Sequence, residues 1–389
     1  MVFNWNKFKE ILIHRKGLGI LGFSDISASV ITSVFWFYIA SVMQPEEYGE
    51  IFYFIAIISI AFTFSSIGTQ NSIIVLTAKE KNLQSTFNFI SLLAGVACSL
   101  LLIIIFYQVD IILLLFGYIM NTLSLSYLIG KRLYSKYSIF LLAQKVLTLV
   151  LGLSFFYLYG AEGILLALGL SYLGFLVIII KSFRESPINF HGFKNNLTFI
   201  LHNYSMKAIG TFKEHIDKLI LVPLIGFSFL GNYALAIQFI SVLSISNTFL
   251  SKYLLTNDSR NISNKNLKKF YFLINVCIGI SAAIMLPVIV PFFFPQFTDI
   301  GILGIMCLAI IPTSITMLKH SEFLGNENSR PTVLGAIIAT TVMICGMLIL
   351  VPEIGIIGAA ITYLSTYSSQ ACFLVIYSKF FDTKKFHKL

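Results

Sequence analysis

Long apolar runs follow one another along almost the whole of this chain, separated by short polar breaks. About 20 apolar residues carry a helix across the hydrocarbon core of a bilayer. By that measure the chain holds twelve spans, at 18–43, 51–77, 84–107, 110–130, 138–159, 163–181, 199–222, 232–255, 270–294, 300–323, 332–351 and 356–378. Polar residues inside the spans fall on single helical faces. Asp25, Ser29, Thr32 and Trp36 follow an i, i+4, i+7, i+11 spacing in span 1, and Ser59, Thr63, Ser66 and Gln70 repeat it in span 2. Span 8 carries Ser244, Asn247, Thr248 and Ser251 on one face. Such stripes either bond a neighbouring helix or line a watered cavity. Pro287, Pro291 and Pro295 predict a kink near one end of span 9, and Pro312 lies within span 10. Ahead of span 1, Trp5, Phe8, Ile11 and Leu12 among Lys7, Lys9, Arg15 and Lys16 read as an interfacial helix.

Span 7 breaks the apolar pattern. It carries His202, Lys207, Lys213, Glu214, His215, Asp217 and Lys218. Ionisable groups in hydrocarbon are costly, so they usually face a bundle interior or a watered cavity. At about 100° per residue, Lys207, Glu214 and Lys218 share one face, and His202, Lys213 and Asp217 another. Glu214–Lys218 and Lys213–Asp217 stand at i, i+4 and can neutralise one another. Lys207 has only Glu214 within reach on its face. Two readings stand: a docked helix whose charges pair among themselves, or a cationic lining for an anionic substrate supplied by Lys207, Lys213 and Lys218. Lys145, inside span 5, either snorkels to the near interface or joins that lining. Asp25, Glu214, Asp217, His202 and His215 are the candidates for a cavity role or for binding a coupling Na⁺ or H⁺.

Composition turns this pattern into a class. Of 389 residues, 57% are hydrophobic and 11% charged, which is an integral membrane composition. The net charge of +10 is no nucleic-acid footprint, because the Lys and Arg sit in short clusters between apolar runs. All but four of the 27 Lys and Arg lie in the two tails, in the loops after spans 2, 4, 6, 8 and 10, or in the span ends adjoining those loops; the four are Lys145, Lys207, Lys213 and Lys218. The opposite loops hold only acids: Glu46, Glu47, Glu50, Asp110, Glu162, Asp299 and Glu353. The positive-inside rule then predicts a multi-pass protein of the cell (inner) membrane with both termini cytoplasmic. The five cysteines lie in apolar runs without a C-x-x-C, and the six His lack metal-site spacing, so no metal is expected.

The two halves resemble each other. The passage 39–59 can be laid on 221–241, so that Gly49 meets Gly231, Ile55 meets Ile237 and Ser59 meets Ser241. Gly160-x-x-Gly163 before span 6 matches Gly355-x-x-Gly358 before span 12, with Tyr172 on Tyr367. Six spans per half is an even number, which predicts a parallel repeat. The expected fold is therefore all-α: a tail (1–17), an N-lobe of spans 1–6 (18–181), a linker (182–197), a C-lobe of spans 7–12 (198–378) and a tail (379–389), with a central cavity lined by spans 1, 2, 7 and 8. No loop has room for a soluble catalytic domain, and no Walker loop, H-E-x-x-H or dinucleotide fingerprint occurs. The chain reads as a transporter and not an enzyme. Two rivals remain: a multidrug exporter for organic cations, which the three lysines of span 7 oppose, and a membrane glycosyltransferase or polymerase using Glu46, Glu47 and Glu50, which the short loops oppose.

Three short motifs carry a resemblance to a known family. They are Pro45-Glu46-Glu47-Tyr48-Gly49; Asp217-Lys218-Leu219-Ile220-Leu221 with Gly226, Leu230-Gly231 and Tyr233; and Asn326, Asn328 and Ser329 followed by 352–360. Together they resemble the Wzx-type polysaccharide and lipid-linked oligosaccharide flippases, in the superfamily that also holds the multidrug and toxin extrusion exporters. The resemblance implies a two-lobed exporter with alternating access and a polyprenyl-diphosphate-linked glycan as cargo, serving O-antigen, lipopolysaccharide or capsule-like assembly beside other polysaccharide-assembly proteins. It implies no cofactor beyond a coupling ion.

Overall fold

The computed structural model describes residues 5–245, 265–325, 328 and 330–386. Asn247, Thr248, Ser251, Asn326 and Ser329, and most of the loop after span 8, lie outside the described residues. Among the described residues the chain is helical, with no strand. The helices are α1 (Trp5–Val42), α2 (Pro45–Ser65), α3 (Gln70–Ala78), α4 (Gln84–Phe106), α5 (Val109–Gly130), α6 (Tyr134–Tyr159), α7 (Glu162–Ser171), α8 (Leu176–Glu185), α9 (Phe190–Asn195), α10 (Leu197–Ile225), α11 (Phe227–Leu243), α12 (Lys265–Phe293), α13 (Ile302–Cys307), α14 (Ile310–Gly325) and α15 (Arg330–Phe386). Nine stretches among the described residues are long and apolar enough to cross a membrane. The other spans have local explanations. α10 is the charged span, α11 is only 17 residues long within the described part of span 8, and α15 holds two spans separated at Ile354 and Gly355.

Local chemistry explains the element boundaries. α2 starts at Pro45, earlier than the hydropathy pattern predicts. Pro suits the first helical position. Glu47, three residues after the cap, accepts from the Gln44 N–H at 3.3 Å, half of a capping box. The acidic hairpin is thus a helix start. α11 also starts early, because Gly226 at φ +90° makes the whole turn alone. Span 2 is broken between α2 and α3, where Thr69 caps α3. Span 6 is broken by a 3₁₀ turn at Leu173–Phe175. Span 10 breaks at Leu308, the carbonyl that the Pro312 ring would crowd in a continuous helix. In span 9 the helix carries Pro287 and Pro291 within it and ends at Phe293.

The chain forms two compact units. Unit 1 comprises Met1–Phe35 and Ile57–Ala208; unit 2 comprises Trp36–Ala56 and Ile209–Leu389. In unit 1, α5 is the central helix, packed on α3, α4, α6 and α7, with Ile111, Leu114 and Leu115 fully buried. Two neutral polar networks tie its helices. Ser85 Oγ reaches the Ser182 and Ser186 carbonyls at 2.9 and 2.7 Å, and Asn88 Nδ2 donates to Ser182 Oγ at 2.5 Å. Gln84 Nε2 donates to Asn88 Oδ1 and the Leu123 carbonyl. The second network joins Gln144, Thr148 and Ser171 at 2.8–3.1 Å. In unit 2, α12, α13, α14 and α15 pack together, and α11 packs on α13 and α15. Leu230, Ile310 and Leu374 are fully buried there.

Equivalent hairpins have equivalent geometry. Gly160 adopts φ +69°, ψ −153°, and Gly355 adopts φ +59°, ψ −140°. A Cβ on Gly163 would strike the carbonyl of Phe155, and one on Gly358 the carbonyl of Leu350. Both struck residues lie at the same distance back along the chain, so the two glycine pairs are needed for the same reason.

Large apolar side chains remain exposed along whole faces: Leu100, Leu101, Ile104 and Ile105 on α4, and Ile284, Met285, Val288 and Phe292 on α12. A water-soluble monomer rarely exposes such continuous patches. On a multi-pass membrane protein they face lipid.

Candidate functional site

The charged part of span 7 folds into unit 2. Asp217 and Lys218 are both buried, 2% and 6% exposed. Asp217 accepts from the Lys218 backbone N–H at 2.8 Å, from Lys218 Nζ at 3.1 Å and from the Tyr233 hydroxyl of α11 at 2.8 Å. Lys218 Nζ also donates to the Glu214 carbonyl at 2.7 Å. Sequence spacing predicts pairing of Asp217 with Lys213 and of Lys218 with Glu214. The structure instead pairs Asp217 with its neighbour Lys218. The long lysine side chain folds back along the helix to both carboxylate oxygens, and the Tyr233 hydroxyl donates to Oδ2 as well. A buried ion pair needs such extra donors to offset its desolvation.

Lys213 is thereby left without the carboxylate expected for it. Its Nζ donates to Gln370 Oε1 at 3.2 Å and lies 5.0 Å from the Tyr367 ring centroid. Tyr363, Tyr367 and Gln370 stand at i, i+4, i+7 on α15, so one face supplies all three. Tyr233 packs edge-on against Tyr363 at 6.1 Å, and Tyr363 against Tyr367 at 4.9 Å. His320 of α14 lies within Coulombic range of Lys213. Glu214 is exposed and acts on Lys213 only at longer range. The direct contacts of Lys213 are therefore neutral ones, an amide oxygen and a π face.

The other sequence candidates fall in unit 1 or at the edge of this cluster. Lys145 is half-buried on α6, with no hydrogen bond or ion pair among the described residues. Asp25 of α1 accepts from the Tyr137 hydroxyl at 2.7 Å. Lys207 and His202 are exposed on the unit 1 part of α10, and His215 is half-buried on its unit 2 part. No group of His, Cys, Asp or Glu among the described residues could hold a metal ion. Sequence reading missed Tyr233, Tyr363, Gln370 and His320 as site residues, and met Tyr367 only as a repeat match. The signal was there in span 12, whose Tyr363-x-x-x-Tyr367-x-x-Gln370 stripe has the same spacing as the stripes of spans 1 and 2.

No protein-family model matches the chain, and no curated protein matches it. Solved structures do. A multidrug resistance MATE family transporter of the MOP superfamily, in an inward-facing conformation, is 15% identical, with a TM-score of 0.73 over 91% of this chain and 94% of that one. The lipid II flippase MurJ, in an inward closed conformation, is 15% identical, with a TM-score of 0.75 over 92% and 87%. A MOP superfamily transporter from Pyrococcus furiosus is 15% identical, with a TM-score of 0.67 over 94% and 95%; reverse polarity of its binding pocket is described as suggesting a different function. At these identities the likeness establishes the fold: the chain is folded as the MATE and MurJ transporters of the MOP superfamily are.

Proposed function

We propose that this chain is a flippase of the Wzx type, moving a polyprenyl-diphosphate-linked oligosaccharide from the cytoplasmic to the outer leaflet by alternating access. The carrying observation is Lys213, a half-buried ammonium held by neutral partners. A diphosphate headgroup in a low-dielectric setting needs such a point charge. Lys145 supplies a second ammonium without a carboxylate, and Lys207 an exposed one. Lys218 is committed to Asp217, so its role is to hold the fold. The fold shared with a lipid II flippase supports a lipid-linked cargo. The charge asymmetry of the loops supports cytoplasmic termini in the cell membrane. An inside-negative potential then favours outward movement of an anion by about 2.3 kcal/mol per charge per 100 mV. Asp217 is saturated by its three donor groups, which leaves Asp25 and Glu214 as the carboxylates for a coupling Na⁺ or H⁺.

The rival reading, export of organic cations, requires an aromatic face for the cation. Here Lys213 already covers Tyr367. Proteoliposomes loaded in parallel with a labelled polyprenyl-diphosphate glycan and with a fluorescent organic cation separate the two. The expected result is glycan movement between leaflets and no cation flux. Cation flux without glycan movement overturns the proposal.

A further inference from the structure

Three loops of unit 1, those after spans 2, 4 and 6, meet at the end that their Lys and Arg predict to be cytoplasmic. A cleft opens between them, lined by Thr77, Asn82, Tyr127, Lys131, Glu185 and Ser186 among others. Two sharp helix ends shape it. The Lys81 N–H returns to the Leu76 carbonyl at 3.1 Å to close α3, and the Leu133 N–H to the Leu128 carbonyl at 2.8 Å to close α5. The left-handed residues of these turns are Glu80 at φ +55° and Arg132 at φ +58°, where glycine is the usual choice, and Asn82 follows at φ +48°. The chain thus reverses within a few residues and holds Asn82 and Lys131 at the cleft.

Opposite charges stand on the two ends of one side chain there. The Tyr127 hydroxyl donates to Glu185, and Lys131 Nζ lies 5.8 Å from the Tyr127 ring centroid. Tyr127 is buried, so packing fixes where both charges are held. Neither charge is used up. Lys131 is exposed. Lys181 reaches Glu185 at 3.5 Å, but the two side chains are 59% and 42% exposed, and such pairs contribute little. A carboxylate has about four acceptor sites, so Glu185 can take a further donor beside Tyr127. Lys181 and Glu185 also border the outward face of α8, where Val177 and Ile180 are exposed to lipid. A simple anion in this cleft would meet Glu185, and a simple cation would meet Lys131. A molecule carrying both a phosphate and a primary ammonium answers the two together.

We propose that this cleft binds the headgroup of phosphatidylethanolamine from the surrounding leaflet. Lys131 takes the phosphate, Glu185 takes the ammonium, and the acyl chains lie along α8. The site is separate from Lys213 and does not depend on the cargo. Native mass spectrometry of the full-length protein, titrated with phosphatidylethanolamine, phosphatidylcholine and phosphatidylglycerol, tests it. Trimethylation leaves choline no N–H to donate, and the glycerol headgroup has no cation for Glu185. Wild type should therefore prefer phosphatidylethanolamine by about ten-fold or more, the effect of one charge-assisted hydrogen bond. Glu185→Gln, which still accepts from Tyr127, should abolish that preference. Lys131→Gln should weaken all three lipids, which share the phosphate. Melting temperatures in lipid-free detergent should stay near wild type in both variants. Free phosphoethanolamine, with no chains for α8, should bind at least about ten-fold more weakly than the lipid. Equal binding of the three lipids by wild type, a preference unchanged in folded Glu185→Gln, or free phosphoethanolamine binding as tightly as the lipid overturns the proposal.

Discussion

The two units share a hairpin geometry but keep different polar groups inside. Unit 1 is tied by neutral amides and hydroxyls, Gln84, Asn88, Ser182, Gln144, Thr148 and Ser171, bonded mainly to one another and to backbone carbonyls. Unit 2 is tied by a charged knot, Asp217 and Lys218 closed by Tyr233, beside a lysine that the knot leaves out. Neutral networks set helix register and leave no net charge. A buried ion pair with a third charge nearby leaves one unit of charge for something else to answer. The comparison therefore sets the unit 1 networks and the Asp217–Lys218 pair, which are bonded among themselves, apart from Lys213, the residue proposed to meet the cargo.

The largest effect is expected at the knot. Asp217→Asn strands the Lys218 ammonium in a buried setting and should destabilise unit 2 by about 3–5 kcal/mol. Adding Lys218→Met should recover most of that loss, as a double-mutant cycle by thermal unfolding would show. If the double variant is no better than the single one, the knot is not a self-contained pair.

A smaller loss is expected in unit 1. Asn88→Ala breaks bonds to Ser182 and Gln84 and should cost about 1–3 kcal/mol. Glycan transport per folded molecule should stay near the wild-type rate. A transport defect out of proportion to abundance would give this network a part in transport beyond holding the fold.

The smallest effects separate glycines by what faces them. Gly210 and Gly174 have open space at the Cβ position, whereas Gly231 faces the Pro45 carbonyl. Gly210→Ala should stabilise α10 by about 0.5–1 kcal/mol. Gly231→Ala, despite its better helix propensity, should lower the melting temperature. Equal behaviour of the two would remove the Gly231–Pro45 contact from the account.

Much of this was legible in the sequence, for identifiable reasons. The spans, the repeat and the membrane class follow from long-range hydropathy and from glycines such as Gly160 and Gly355, whose positive φ leaves a mark in sequence. Span 7 was recognisable as the charged helix because its lysines are costly in lipid. The partner choice was not legible. Helical spacing offers Lys213 to Asp217, but a donor from another helix, Tyr233, and a fold-back of Lys218 decided otherwise. Gly231 and the Glu47 cap were read as loop features because glycine and acids mark breaks. One serves a close backbone contact and the other a helix start.

The central claim is that Lys213, whose direct contacts are an amide oxygen and a ring, meets an anionic headgroup. The direct measurement is the affinity of purified wild type, Lys213→Ala and Lys213→Arg for a polyprenyl diphosphate, alongside their melting temperatures. The account predicts binding about ten- to a hundred-fold weaker in Lys213→Ala, affinity largely retained in Lys213→Arg, and melting temperatures near wild type in both. Wild-type affinity in a folded Lys213→Ala protein would contradict it.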